Sequence, residues 1–172
     1  MKLGSVEFRD EQAEDIAAIR EILVQAFDGN LEADLVNALR EAEALTLSMV
    51  AINNDKMIGH ILFSPGTIEN DDSSRPAVAL GPVAVLPEHQ RLGVGSALIA
   101  RGLEECRKRG YSVAFLVGHP EYYPRFGFVP GSTKGITCIF ADGNAFMVAE
   151  LRTGGLKGVH DNAIYRPEFD RF

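Results

Sequence analysis

The sequence predicts an α/β (α+β) fold in one domain over residues 1–172, on three observations. Amphipathic helical patterns alternate with short apolar strand patterns along the chain. The apolar run from Val78 to Leu86 empties through a glycine-bearing turn, Gln90 to Ser96, into a long helical pattern. No internal repeat or linker divides the 172 residues, which at 46% hydrophobic and 24% charged suffice for one core.

Val6-Glu7-Phe8-Arg9 alternates like a short strand, and Asp10 offers an N-cap to the helical pattern of Ile16, Ile19, Ile22, Leu23 and Phe27. Asp28-Gly29-Asn30 breaks that helix. A second pattern carries Leu31, Leu35, Val36 and Leu39 and fades at Glu43-Ala44. Leu45 to Asn53 reads as a strand, Asn54-Asp55 as a hairpin turn, and Met57 to Phe63 as the returning strand. Glu69 to Arg75, polar and bounded by Gly66 and Pro76, reads as an exposed, mobile hairpin loop. Ala77 to Leu86 is the next strand. The helix after the glycine turn buries Val94, Leu98, Ile99, Leu103 and Cys106 and ends at Arg109-Gly110. Val113 to Val117 is a short apolar strand suited to a central position, Pro120 to Phe126 a short helix, and Gly127-Phe128-Val129 and Ala145 to Leu151 further strands.

Formal net charge is −7, with 17 Lys+Arg against 24 Asp+Glu and no basic run, which argues against nucleic-acid binding and leans toward cationic substrates. Cys106 and Cys138 have neither the number nor the spacing of a disulfide framework or zinc site, and His60, His89, His119 and His160 lack metal-ligand spacing, so no metal is expected. The Met1-Lys2-Leu3-Gly4 start leads into polar sequence without a secretory apolar region, and no run approaches a membrane span. The cytoplasm is the expected location, with no membrane partner.

A strand that turns through glycines into a helix N-terminus is an anion site. The first-turn N–H groups lack intrahelical partners, and the peptide dipoles place roughly +0.5 charge there. Gly93 and Gly95 remove the Cβ atoms that would hold a phosphate off the backbone.

The run Val83-Ala84-Val85-Leu86-Pro87-Glu88-His89-Gln90-Arg91-Leu92-Gly93-Val94-Gly95 resembles motif A of the GNAT superfamily of acyl-CoA-dependent N-acetyltransferases. Gln90, Gly93 and Gly95 occupy its defining places. Tyr123-Pro124-Arg125-Phe126-Gly127-Phe128 resembles motif B, and Phe8-Arg9 with the helix ending at Ala26-Phe27 resembles the family's start. The likeness covers about residues 5 to 130. The tail from Gly131 resembles one bacterial branch of acetyltransferases.

The resemblance implies the GNAT fold: a mixed, mostly antiparallel central sheet splayed between two central strands, with helices on both faces. It implies acetyl-CoA as cosubstrate, its pantetheine arm paired with the main chain of Val83 and Val85 like an added strand. Gly81-Pro82 inside that strand reads as a bulge that opens the sheet ahead of them. Cofactor contacts fall to Val83, Val85, Gln90, Arg91, Leu92, Gly93, Val94, Gly95 and Ser96. Within that set Gln90 shapes the turn, the backbone from Arg91 to Ser96 holds the pyrophosphate and the Ser96 hydroxyl adds a contact; the Arg91 side chain reaches a phosphate or is simply solvated. The implied reaction is acetyl transfer to a primary amine by direct attack in a ternary complex.

Motif position makes Tyr123 the acid that protonates the departing thiolate, with its neighbour Tyr122 the competitor. A free amine must also be generated, which costs about 4–5 kcal/mol at neutral pH for a group of pKa ~10.4. Many family members use a carboxylate on the strand before motif A, whereas Ala77 to Leu86 contains no acid. His60, Glu69, His119 and Glu121 stay open as bases, none assigned. Phe27, Asp28 and Asn30 stand where the family builds its acceptor pocket, for a small-molecule or peptide amine.

Two other readings compete. A dinucleotide fold needs glycine where Leu98 stands and an acid after Val113 to Val117, and has neither. An acyl-CoA-binding sensor or partner module, with little catalysis, is favoured by the acid-free strand and disfavoured by Tyr123. A homodimer through an exposed Ala145 to Leu151 strand is compatible with the pattern.

Overall fold

The computed structural model describes residues 5–141 and 143–171. The start from Met1 to Gly4 lies outside them. Two compact units emerge. One gathers the chain up to Phe63, Gly81–Gly102 and the segment from Pro167; the other holds Ser64–Leu80 and Leu103–Arg166.

In the first unit, β1 (Glu7–Asp10) pairs antiparallel with β2 (Leu47–Asn53), which pairs antiparallel with β3 (Lys56–Glu69). Asn54 and Asp55 form the expected hairpin turn, both with positive φ (49° and 59°), as a type I′ turn requires. Helix α1 (Ile16–Phe27) begins later than the Asp10 expectation. Asp10 is still strand, and a 3₁₀ turn at Ala13–Asp15 leads in. The Asp15 carboxylate fixes this entry by accepting the Gln12 N–H at 2.7 Å and two Arg9 guanidinium bonds at 2.6 and 3.0 Å. Asp28, in left-handed geometry, ends α1, and α2 (Leu31–Glu41) follows.

The stripe of Ile19, Ile22, Leu23, Leu35, Val36 and Leu39 is buried as its spacing predicts, whereas Ile16, Phe27 and Leu31 at the helix ends are exposed. Helix α3 (Val94–Lys108) carries Gly102 directly over the ring of Phe63, and a methyl group there would overlap that ring. The glycine lets helix and strand meet without a spacer side chain. Cys106 is fully buried, as expected, and burial pushes its thiol up to about 12.

In the second unit, the stretch read as a hairpin loop from Glu69 to Arg75 is a hairpin, with a tip shorter than that reading gave. β3 runs to Glu69 and β4 (Ser74–Val85) begins five residues later, with Gly66 and Pro76 inside strands. Asn70 closes the turn: its Oδ1 accepts the N–H groups of Asp72 and Ser73 and the Ser73 hydroxyl at 2.8–3.0 Å. β4 pairs parallel with β5 (Val113–Val117) at Val78 and Ala79, and β5 pairs antiparallel with β8 (Phe146–Glu150) along its length.

The segment Ala145 to Leu151 is therefore not an open edge, because β5 and β6 (Val129–Pro130) flank β8 on both sides and Phe146 to Ala149 are buried. β7 (Ile136–Cys138) and β9 (Asp161–Ile164) were not anticipated. They pair with each other, and β9 extends β3 at Thr67 to Glu69. Phe115, Phe146, Val148 and Ile68 centre this unit's core.

Candidate active site

The glycine turn starts where β4 ends. Leu86 donates its N–H to the Ile58 carbonyl of β3 at 3.0 Å. Strand alternation then turns the main-chain groups of Val85 and Val83 away from β3. A 3₁₀ turn at Pro87–His89 follows, closed by the His89 N–H on the Leu86 carbonyl at 2.8 Å. Gln90 returns to extended geometry, and its Nε2 donates to the Val85 carbonyl at 3.1 Å. The side chain thus clips the turn to the strand it leaves, as expected of Gln90, and it occupies one of the main-chain acceptors.

Arg91 (φ 58°) and Gly93 (φ 88°) both lie in the left-handed region, and this pair of reversals aims the chain into α3. The N–H groups of Arg91, Leu92, Gly93, Val94 and Gly95 donate to no backbone acceptor among the described residues. This turn leaves main-chain donors without backbone partners at a helix N-terminus, a position that favours anions in general, with Leu92 and Gly93 exposed. Val94, buried at the first helical position, anchors it, and the Arg91 side chain is exposed. Val83, Val85, Gln90 and the run Arg91 to Ser96 all belong to the first unit.

Tyr123 lies in the second unit, opening a 3₁₀ turn at Tyr123–Phe126. Its ring lies against Gly118, where a Cβ would come within 2.5 Å of it, and packs edge-on to Tyr122 (5.2 Å) and Phe128 (5.8 Å). Burial, with a smaller contribution from Tyr122, pushes its phenol above the ordinary value, so it stays protonated through neutral pH. The two tyrosines separate clearly. The Tyr122 ring carries the Arg125 guanidinium at 4.5 Å, and Arg125 also bonds the Tyr122 carbonyl at 2.8 Å. Arg125 thus engages both the ring face and the backbone carbonyl of Tyr122.

Of the four bases left open, His60 is excluded from direct contact with a substrate. It is fully buried, and desolvation lowers its pKa to about 4, against the opposing pull of Glu11. Its Nε2 lies 2.8 Å from Ser48 Oγ, which also bonds Glu11, and Glu11 is bidentate to Arg40 at 3.1 and 3.0 Å. This chain joins the β1–α1 loop, α2, β2 and β3. Its members come from four separated segments, and their sequence carries no local signal for it. Glu69 is taken up by the hydroxyls of Thr67 (2.7 Å) and Ser74 (3.2 Å), while His119 and Glu121 are exposed.

No described helix is long and apolar enough to cross a membrane. The acetyltransferase (GNAT) domain family matches residues 7–131. YjhQ of Escherichia coli K12, named an uncharacterized N-acetyltransferase, is 43% identical over 118 residues, covering 67% of this chain and 65% of YjhQ. YhbS of the same organism, likewise named, is 32% identical over 160 residues, covering 92% and 95%. The crystal structure of E. coli YhbS with CoA superposes at a TM-score of 0.91 with 31% identity, over 98% of this chain and 93% of that one. A Brucella melitensis GNAT family acetyltransferase, solved with acetyl-CoA, gives 0.79 at 33% identity, over 96% and 98%. The chain belongs to the GNAT family of acetyltransferases.

Proposed function

We propose that the chain acts as one GNAT domain that moves an acetyl group from acetyl-CoA to a primary amine, by direct attack in a ternary complex. The observation that carries this reading is the glycine turn, whose N–H groups from Arg91 to Gly95 donate to no described backbone acceptor at the N-terminus of α3. Open main-chain donors at a helix N-terminus suit a pyrophosphate in charge and in number of donors. Val83 and Val85, turned away from β3, suit the amides of a pantetheine arm. With the Val85 carbonyl held by Gln90, the Val83 main chain carries more of that pairing.

Acetyl-CoA supplies the thioester. The amine nitrogen forms a bond to its carbonyl carbon, the C–S bond breaks, and the sulfur takes the proton of the Tyr123 phenol. Tyr123 fits this role because it is held protonated by burial and its hydroxyl bonds no described residue. Tyr122 is set aside because Arg125 stacks on it. The proton of the attacking amine leaves through water or a base outside β4, whose twelve residues contain no acid.

That missing acid favours one other reading, an acyl-CoA-binding module. Free-thiol release from acetyl-CoA across a library of small and peptide amines separates the two. Amine-dependent release supports the transferase; acetyl-CoA binding with silence across the library supports the module. A rise in melting temperature with acetyl-CoA and none with NAD tests the donor itself.

A further inference from the structure

In the second unit, Gly118 follows β5 directly, and its φ lies outside the left-handed region that favours glycine. That angle is open to residues with side chains, so what calls for glycine here is space. A Cβ at 118 would come within 2.5 Å of Cε2 and 3.1 Å of Cδ2 of the Tyr123 ring, and within 3.1 Å of Leu116 Cδ1. The missing side chain is therefore the seat of the ring whose phenol is read as the thiolate acid.

The backbone on each side of this contact is fixed. β5 pairs with β8 up to Val117 opposite Phe146, and the Gly118 N–H continues that ladder to the Ala145 carbonyl at 2.9 Å. Across the contact, the Tyr122 and Tyr123 N–H groups donate to the His119 carbonyl at 3.0 and 3.4 Å. The Gly127 N–H closes the following turn on the Pro124 carbonyl at 3.0 Å. An added methyl group is thus relieved by the Tyr123 side chain and not by either main chain.

The size of that relief follows from the contact. Non-bonded carbon atoms rest about 3.5–4.0 Å apart, so from 2.5 Å the ring has to retreat by about 1 Å. Tyr122 and Phe128 pack edge-on to the ring, with interplanar angles of 89° and 75°, and resist its rotation in place. The remaining motion is a swing about the Cα–Cβ bond. Oη stands farther from that pivot than Cε2 does, so the hydroxyl moves at least as far. Misplacing a reacting group by about 1 Å is enough to cost about 10²-fold in rate.

We propose that Gly118 is a positioning residue for acetyl transfer: by carrying no side chain it sets where the Tyr123 hydroxyl stands against the sulfur of CoA. This role rests on Tyr123 being the acid that protonates that sulfur. Gly118 acts only through the ring that it seats.

The test needs no acceptor amine. The full-length protein, with its tyrosines carbon-13-labelled at Cζ, is titrated with CoA and with desulfo-CoA, which lacks the thiol. The Tyr123 resonance is the one that Tyr123→Phe removes. In the wild type CoA should shift it and desulfo-CoA should not, the difference reporting the sulfur. Gly118→Ala should lose at least half of that difference, with calorimetric CoA affinity kept within about threefold. A difference as large in Gly118→Ala as in the wild type overturns the proposal, and so does loss of CoA binding itself in that variant. Equal responses to the two ligands in the wild type remove Tyr123 from the sulfur, and overturn the acid together with its seat. Should Gly118→Ala fail to fold, adding Phe128→Leu frees space beside the ring. The same difference then decides, judged against Phe128→Leu alone.

Discussion

Replacing Glu11 by Gln should destabilise the protein substantially although Glu11 lies outside any proposed contact with substrate. Its carboxylate accepts two bonds from Arg40, at 3.1 and 3.0 Å, and one from Ser48, with 15% of its side chain and 19% of that of Arg40 exposed. Ser48 has one hydroxyl proton and gives it to Glu11, so at the 2.8 Å contact with His60 it accepts, and His60 carries its proton on Nε2. Removing one charge from a fully buried pair costs about 3–5 kcal/mol, because the other charge is stranded. The residual exposure lets water reach Arg40, which reduces the expectation to about 2–3 kcal/mol.

For a chain of this size that lowers the melting temperature by roughly 4–12 °C. Urea unfolding at pH 7 followed by far-UV circular dichroism measures it, the chain having no tryptophan. A double-mutant cycle with Arg40→Gln should return a coupling of at least about 1 kcal/mol. Burial raises the Glu11 pKa, but the hydrogen bonds from Arg40 and Ser48 outweigh it and the net shift is downward. The wild-type advantage is thus complete above the unfolded value near 4.3 and shrinks as pH falls through the lower folded value. A Glu11→Gln variant within about 0.5 kcal/mol of wild type, the ordinary range for surface changes, would refute the network's role.

Other expectations follow from single contacts. His60, neutral in the fold with a pKa of about 4, binds its proton far more readily when unfolded. Stability should therefore rise by about 3 kcal/mol between pH 4 and 6.5 from this group alone, and a His60→Gln variant with the same slope in urea titrations would contradict it. Gly102→Ala should cost about 1–3 kcal/mol by forcing the Phe63 ring aside, seen as a shift in urea midpoint with unchanged m-value. Tyr123→Phe should slow acetyl transfer by about 10²–10⁴-fold with acetyl-CoA affinity intact, and equal turnover of the two proteins would remove Tyr123 from the chemistry.

The helices and the first hairpin were legible because their information is local. Apolar residues at helical spacing mark α1, α2 and α3, and Asn54-Asp55 marks its turn through the preference of those residues for positive φ. The glycine turn was legible for the same reason. What escaped detection depends on distant partners. β7 and β9 have three and four residues and stand as strands because they pair with each other and with the end of β3.

The hairpin loop between Glu69 and Arg75 was legible from its polar composition, but its short tip was not, because it depends on the Asn70 side chain that closes it. Ala145 to Leu151 looked like an available edge because nothing local reveals that β5 and β6 flank it. The chain from His60 through Ser48 and Glu11 to Arg40 was invisible because it is assembled from four segments. His60 alone therefore looked like a base, where its burial gives it a structural place.

The central claim is that the backbone from Arg91 to Gly95 grips the pyrophosphate of acetyl-CoA. Calorimetric binding of CoA and of pantetheine, which lacks the pyrophosphate, to the wild type and to Gly95→Val tests it most directly. Loss of two or more charge-assisted bonds, each worth about 1.5–3 kcal/mol, should make wild-type binding of CoA at least about 100-fold tighter than binding of pantetheine. Gly95→Val should erase most of that ratio by placing a branched side chain in the turn. Equal affinities for the two ligands in the wild type, or a ratio untouched by Gly95→Val, would contradict the account.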